Sequence, residues 1–343
     1  MTDLAALARN TADRIARSHV GIVVAVVAGD TAEIRGAGRV GAADSDSPGA
    51  ETLFEIGSVT KVFTALALAR LVAAGAVGLD EPLADLLPPG THVPSRDGCH
   101  ITPEHLATHT SGLPRLPKGM LAKAILRPST PDPYAGCTAD MLLRGLEKTK
   151  LGATPGRRYR YSNLGGGLLG LALAERAGLD YESLVRREIL DPLDMHDTVI
   201  TIDGQRSRRF AQGHSRRGKP VPPWNLVDLA GAGGLRSTAA DLAAFVRAQL
   251  RSDDGVLADA VRLSRETEFA VGPYMRSHLG WISTPVRDKD HRRFWHNGRT
   301  GGFSSFVGLT PDQGVGVVLL ANSGRSLDRP ALELLERLET ALS

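Results

Sequence analysis

A chain of 343 residues with 42% hydrophobic and 5% aromatic content is long enough to bury one large core or two of ordinary size. Its 41 basic and 38 acidic residues leave a formal charge of only +3, so charge gives no ground for a nucleic-acid or anionic-membrane partner. No apolar run reaches the roughly 18 residues of a membrane span, and Asp3, Arg9, Asp13, Arg14 and Arg17 interrupt the region where a signal peptide needs an unbroken apolar core. The expectation is a cytoplasmic protein with no membrane or nucleic-acid partner. Cys99 and Cys137, far apart and without metal-ligand spacing, are expected as free thiols.

In chain order, Leu4, Leu7, Ala8, Thr11 and Ile15 fall on one face of a helix. "GIVVAVVAG" (21–29) then reads as a buried strand, and a turn at Gly29 and Asp30 leads into a hairpin partner over 31–41. The language then changes, with helical patterns over 58–74, 103–109, 139–148, 163–177, 181–189 and 238–250. Strands return with "RRFWHNG", "GGFSSFVGLT" and "GVGVVLLANS", followed by a last helix (329–342) with Leu332, Leu335, Leu338 and Leu342 on one face. This order predicts an α/β (α+β) fold: an antiparallel sheet built from both termini (1–57 and 276–343), flanked by helices, with a mostly helical insertion (58–275) and an active site where the two meet. Two Pro/Arg-rich stretches, 112–137 and 203–224, read as long loops of the kind that form lids or binding rims.

The chemistry starts in "FEIGSVTKVFTALALARLVAAG" (54–75). Ser58 alone reads as a helix N-cap. Lys61 does not fit that reading, because a capping box wants Glu or Gln at that position and the helix dipole disfavours a cation in the first turn. Only seven of the 41 basic residues are Lys, and this one is flanked by Val59, Val62, Phe63 and Leu66. Apolar burial and the dipole both lower a lysine pKa, which makes its amine a base. Residues three apart on a helix share a side, so Lys61 can reach the Ser58 hydroxyl.

Two further signals follow in order: "YSN" (161–163), which opens a helix, and "HNG" (296–298), which ends a strand. With them, and with "ITPEHLATHTSGLP", "AGAGGLRSTAADLAAFV" and the long stretches around each, the sequence resembles the serine β-lactamase and penicillin-binding-protein superfamily in its class C-like branch. The likeness runs over most of 54–322. It implies Ser58 as the acylated nucleophile, with Lys61 and the Tyr161 phenol sharing the work of base and acid. It implies that Asn163 holds Lys61 or the substrate, and that the backbone amides of Ser58 and Arg299, the residue after Gly298, form an oxyanion hole. His296 stands where many relatives carry Lys, and by the resemblance can donate a hydrogen bond to a substrate carboxylate or to Tyr161. The loss of a fixed positive charge there favours esterase, peptidase or transferase members over efficient β-lactam hydrolysis.

Other signals carry less. "HLATH" spaces His105 and His109 like a zinc helix, but Leu106 occupies the place of the required Glu. "GHSRRG" approaches a nucleophile elbow, but Arg217 replaces its second glycine. Arg206, Arg208, Arg209, Arg216, Arg217 and Lys219 read as a solvated loop, with an anion-attracting rim as the sharper alternative. The resulting expectation is a serine acyl hydrolase or acyltransferase acting on ester, thioester or amide bonds of a small-molecule donor, with an amine or alcohol as acceptor where transfer occurs. No metal or cofactor is expected. A β-lactamase or D-amino-acid peptidase is the alternative, and a catalytically silent ligand-binding relative the alternative of another class; oligomeric state is open.

Overall fold

The computed structural model describes residues 3–41, 46–116, 132–134, 136–251, 257–287 and 290–342. Its frame is an eight-stranded sheet in the order β2-β1-β10-β9-β8-β7-β6-β5, antiparallel at every pairing. The strands are β1 (Gly21–Ala28), β2 (Thr31–Gly38), β5 (Glu268–Ala270), β6 (Arg276–His278), β7 (Ile282–Pro285), β8 (Arg292–Arg299), β9 (Ser304–Thr310) and β10 (Val315–Ala321). A separate short pair, β3 (Phe54–Glu55) with β4 (Arg236–Ser237), lies beside the start of the Ser58 turn.

The two chain ends meet inside the sheet, one strand in from its β2 edge, where β1 pairs with β10 from Ile22 opposite Ala321 to Ala28 opposite Val315. Both strands are buried on both faces, which is why each reads as an unbroken apolar run. Strand alternation divides their side chains between two cores. Ile22, Val24, Val26, Val317 and Leu319 face the terminal helices Leu4–Ala16 and Asp328–Ala341, where Ala8, Ala12, Ile15, Leu334, Leu335 and Leu338 cover them. Val23, Ala25, Val27, Val318 and Leu320 face the larger core, which includes the helices Thr60–Ala73, Asn163–Ala177 and Ala239–Leu250.

The α/β architecture is as expected, with local differences. The sheet recruits chain from Glu268 onward, within the stretch read as helical, because β5 has only three residues and no alternation long enough to detect. The helix Ala258–Glu266 was also outside the expected set. The pattern over 181–189 is an α-helix only to Val185 and continues as a π-helical turn, Arg186–Leu190. In the last helix Leu342 falls past the end and is exposed, while Leu334 takes a place in the core. Of the two expected long loops, 203–224 contains only the helical turn Gly204–Ser207, and most of the other, residues 117–131 and 135, lies outside the described residues. Among the described residues no helix is long and apolar enough to cross a membrane.

Candidate active site

Ser58 lies in a 3₁₀ turn, Gly57–Val59, that precedes the helix Thr60–Ala73. The helix has Val59 at its N-cap with no side-chain cap bond, so the capping role read for Ser58 is not taken up and its hydroxyl is free for other partners. The turn depends on two glycines. Gly57 has φ +49°, and a Cβ there would stand 2.8 Å from the Arg299 nitrogen. A Cβ on Gly298 would stand 1.9 Å from the Ile56 carbonyl oxygen, and Ser305 Oγ donates to that oxygen at 2.7 Å. Backbone-to-backbone approach of β8 therefore sets the Arg299 amide beside the nucleophile turn, on the cleft that both residues line.

Lys61 is 4% exposed, yet its Nζ has three oxygens around it: Ser58 Oγ at 3.2 Å, Asn163 Oδ1 at 2.9 Å and the Ala232 carbonyl at 2.5 Å. Burial, and secondarily the Arg115 guanidinium, lower its pKa to about 7. A neutral amine has two N–H bonds and one lone pair. Asn163 and Ala232 offer only acceptors to it, so they take the two hydrogens and leave the lone pair to face the Ser58 hydroxyl. Asn163 is itself oriented, because its Nδ2 donates to the Tyr134 hydroxyl at 3.2 Å and so turns Oδ1 toward Lys61. The helix Asn163–Ala177 is capped not by Asn163 but by Ser162, whose Oγ accepts from Gly165 N at 2.9 Å.

The Tyr161 side chain hydrogen-bonds Ser58, and its ring lies 5.0 Å from Lys61 Nζ and 5.4 Å from the Arg115 guanidinium. Burial outweighs the Ser58 hydrogen bond and the Arg115 charge and pushes its pKa up to about 12. The phenol therefore keeps its proton near neutral pH.

His296 needs a correction. Its Nδ1 lies 2.7 Å from the Asn297 carbonyl, which can only accept, so Nδ1 carries the proton. Burial first, and Lys61 second, push its pKa down to about 3, so the ring is neutral. A neutral ring with its hydrogen on Nδ1 has only a lone pair at Nε2. The ring that sequence offered as a donor therefore has no second hydrogen to give.

A narrow cleft opens at Ser58. Ser58, Asn163, Arg299 and Thr300 give it a polar side, and Tyr134, Trp224, Leu226 and Leu229 an apolar one. Trp224 meets Tyr134 edge to face, centroids 5.1 Å apart. Its backbone is held at both ends: Glu55 Oε1 accepts from its N–H at 2.7 Å, and Arg236 Nη2 donates to its carbonyl at 2.7 Å. Glu55 is 4% exposed and 3.8 Å from Arg236, and burial raises its pKa. Sequence reading missed Glu55, Arg115, Tyr134, Trp224 and Arg236. Glu55 alone had a local signal, as a charged residue in an otherwise apolar approach to Ser58.

The discounted signals have structural places. His105 completes a capping box with Thr102, each accepting the other's backbone N–H at 3.3 Å, while His109 lies against Tyr161. Ser215 Oγ accepts from Lys219 N in a surface turn, so "GHSRRG" does not form an elbow. Arg206 and Arg209 both pair with Asp197, and Arg208, Arg216, Arg217 and Lys219 are exposed. Cys99 is exposed and Cys137 buried, and neither is in a disulfide.

Known proteins share this arrangement of sheet and helices. The family model described as beta-lactamase matches residues 7–342. The D-alanyl-D-alanine-carboxypeptidase/endopeptidase AmpH of Escherichia coli K12 is 30% identical over 312 residues, covering 88% of this chain and 78% of that protein. A beta-lactamase of Pseudomonas fluorescens is 27% identical and covers 94% of each. Among solved structures, a beta-lactamase/D-alanine carboxypeptidase from Yersinia pestis complexed with citrate matches with a TM-score of 0.82 at 26% identity, over 98% of this chain and 99% of that one. One from Pseudomonas syringae shares the fold, with a TM-score of 0.84 at 22% identity over 99% of both chains. The chain belongs to the beta-lactamase family. It is a β-lactamase-like serine hydrolase, of the kind that works through an acyl-enzyme.

Proposed function

We propose that the protein cleaves ester or amide bonds of small molecules by transferring the acyl group to Ser58, with Lys61 as base and Tyr161 as acid. The observation that carries this reading is the Lys61 amine 3.2 Å from Ser58 Oγ, with a pKa near 7 and its hydrogens directed elsewhere. Lys61 takes the Ser58 proton as Oγ bonds to the substrate carbonyl carbon. The oxyanion forms between the backbone amides of Ser58 and Arg299. Tyr161 gives its proton to the departing oxygen or nitrogen as that bond breaks, and the proton collected by Lys61 replaces it, so no net charge is left behind. The pKa values favour this division of labour over the reverse, because a phenol near 12 is a poor base and a good reserve of protons. Water then hydrolyses the acyl-enzyme, or an amine or alcohol acceptor takes the acyl group.

The apolar wall of Tyr134, Trp224, Leu226 and Leu229 suits an uncharged hydrocarbon acyl group. A neutral His296 supplies no cation for a substrate carboxylate. A second reading, D-alanyl peptidase, is favoured by the AmpH relative.

The test is intact mass after incubation with a fluorophosphonate and with a series of p-nitrophenyl and alkyl esters, run beside a D-Ala-D-Ala peptide. One adduct is expected on the wild type and none on Ser58→Ala, which should keep its fold and lose turnover. Turnover retained by Ser58→Ala would overturn the assignment, and no adduct on the wild type would favour a ligand-binding role. Release of D-alanine faster than ester cleavage would put the second reading first.

A further inference from the structure

The second histidine of "HLATH" has no part in the roles above. His109 is 5% exposed and sits at φ +59°, a left-handed backbone that residues with a Cβ seldom adopt. Its carbonyl accepts from Arg160 N at 2.7 Å, and its ring Nδ1 accepts from Ser162 N at 3.3 Å. Those two donors are the residues on either side of Tyr161. The imidazole also lies against the Tyr161 ring, centroids 4.4 Å apart at 47°, with Tyr159 edge-on to it at 5.9 Å.

The hydrogen bonds settle the form of the ring. A backbone N–H can only donate, so Nδ1 must present a lone pair and the neutral ring carries its hydrogen on Nε2. Burial, with Lys61 and His296 near, holds the pKa well below its ordinary value and keeps that form. Residues 158–162 belong to no helix or strand, so no ladder of the fold fixes where Tyr161 points. Ser162 is tied further by its Oγ to the Pro114 carbonyl at 2.7 Å, which anchors only the C-terminal side.

We infer that His109 is a positioning residue for Tyr161: it grips the backbone before and after the tyrosine and backs its ring, so that the phenol stays at Ser58. The left-handed φ is what turns carbonyl and side chain toward the same segment. The inference rests on the acid role proposed for Tyr161, and its test is built to separate the two.

In His109→Gly the backbone can keep its conformation but the acceptor and the ring are gone. In His109→Asn the Oδ1 atom is bonded to Cγ as Nδ1 is, and Asn tolerates left-handed backbone. Activity is read on an alkyl ester, whose alkoxide leaves only with a proton, and on a p-nitrophenyl ester, whose phenolate leaves unaided. For the alkyl ester, His109→Gly should lower kcat on the order of tenfold to a hundredfold, the scale of a small misplacement. KM should change little, and the p-nitrophenyl ester should be affected far less. His109→Asn should restore most of the loss. Added to Tyr161→Phe, His109→Gly should cost nothing further.

Equal losses on both esters, equal losses in the Asn and Gly variants, or a full additional loss on top of Tyr161→Phe would overturn the inference. If Tyr161→Phe loses alkyl-ester activity while a folded His109→Gly keeps it, only the role of His109 falls. If Tyr161→Phe keeps full activity, the acid role falls and this inference with it. Circular dichroism checks folding; should His109→Gly fail to fold, His109→Asn against the near-isosteric His109→Leu makes the same comparison of acceptor present and absent.

Discussion

An ammonium buried among three oxygens would be held as a cation if those oxygens carried charge. Around Lys61 they belong to a hydroxyl, a side-chain amide and a backbone carbonyl, so nothing offsets the cost of desolvating the charge. That balance gives the activity a pH dependence of definite sign. Below pH about 7 Lys61 is protonated and cannot accept from Ser58, and above it the lone pair is available. The acylation rate should therefore rise with pH through an apparent pKa near 7 and then stay level, because Tyr161 holds its proton until about 12. Stopped-flow acylation across pH 5 to 10 measures this, with those limits set roughly by the two pKa values. Lys61→Ala should remove the rising limb and lower kcat by about 10²–10⁴-fold. A limb that persists in Lys61→Ala would assign the titration to another group.

At the scale of elements, the cleft is a junction of short pieces that form no continuous structure. The strand pair β3–β4 delivers Glu55 and Arg236 from positions 181 residues apart to the two ends of one backbone unit, that of Trp224. Glu55→Ala would leave the Trp224 N–H without its acceptor and the Arg236 guanidinium without its nearby carboxylate. Breaking such a buried pair costs about 3–5 kcal/mol. The expected result is that loss in urea unfolding together with a raised KM for apolar acyl esters, since the aromatic wall is no longer fixed. Glu55→Gln, which keeps an oxygen for the Trp224 N–H, should lose much less of both. An unchanged KM in a destabilised Glu55→Ala would mean that the clamp serves stability alone.

For the whole molecule, the sheet joins the chain ends and the site hangs from one side of it. The face covered by the terminal helices is remote from the chemistry: Leu335 packs there with Ile22, Phe306 and Leu319, in a different core from the one that holds Phe54, Ile56 and Val59. Leu335→Ala should cost about 2–5 kcal/mol through the cavity it leaves. The folded fraction, counted by fluorophosphonate titration, should acylate at the wild-type rate. A slower rate per titrated site would show that the two cores are coupled across the sheet.

Local composition was enough to find the central strands, the long helices and the pairing of Lys61 with Ser58. "GIVVAVVAG" and "GVGVVLLANS" could only be buried strands, and an isolated Lys three residues after Ser in an apolar helix had no structural purpose. What pattern cannot carry is a side chain's direction or an atom's protonation. Asn163 accepts from Lys61 as the resemblance implies, but that its Oδ1 rather than its Nδ2 faces the amine is set by the distant Tyr134 hydroxyl. His296 lies in β8 where the pattern put it, but a carbonyl one residue away holds its only hydrogen, so it has none left to donate. His109 looked like half of a metal site and instead lies beside Tyr161, and Glu55, Arg236 and Trp224 converge only through pairings that span much of the chain. Periodicity and residue type are properties of a few neighbouring positions, so the chain itself determined its strands, its helices and the placing of a serine three residues before a lysine at a helix start. Burial and long-range contact set the basicity of Lys61, the acidity of Tyr161 and the shape of the cleft, and those depend on which distant residues exclude water from the same few cubic ångströms.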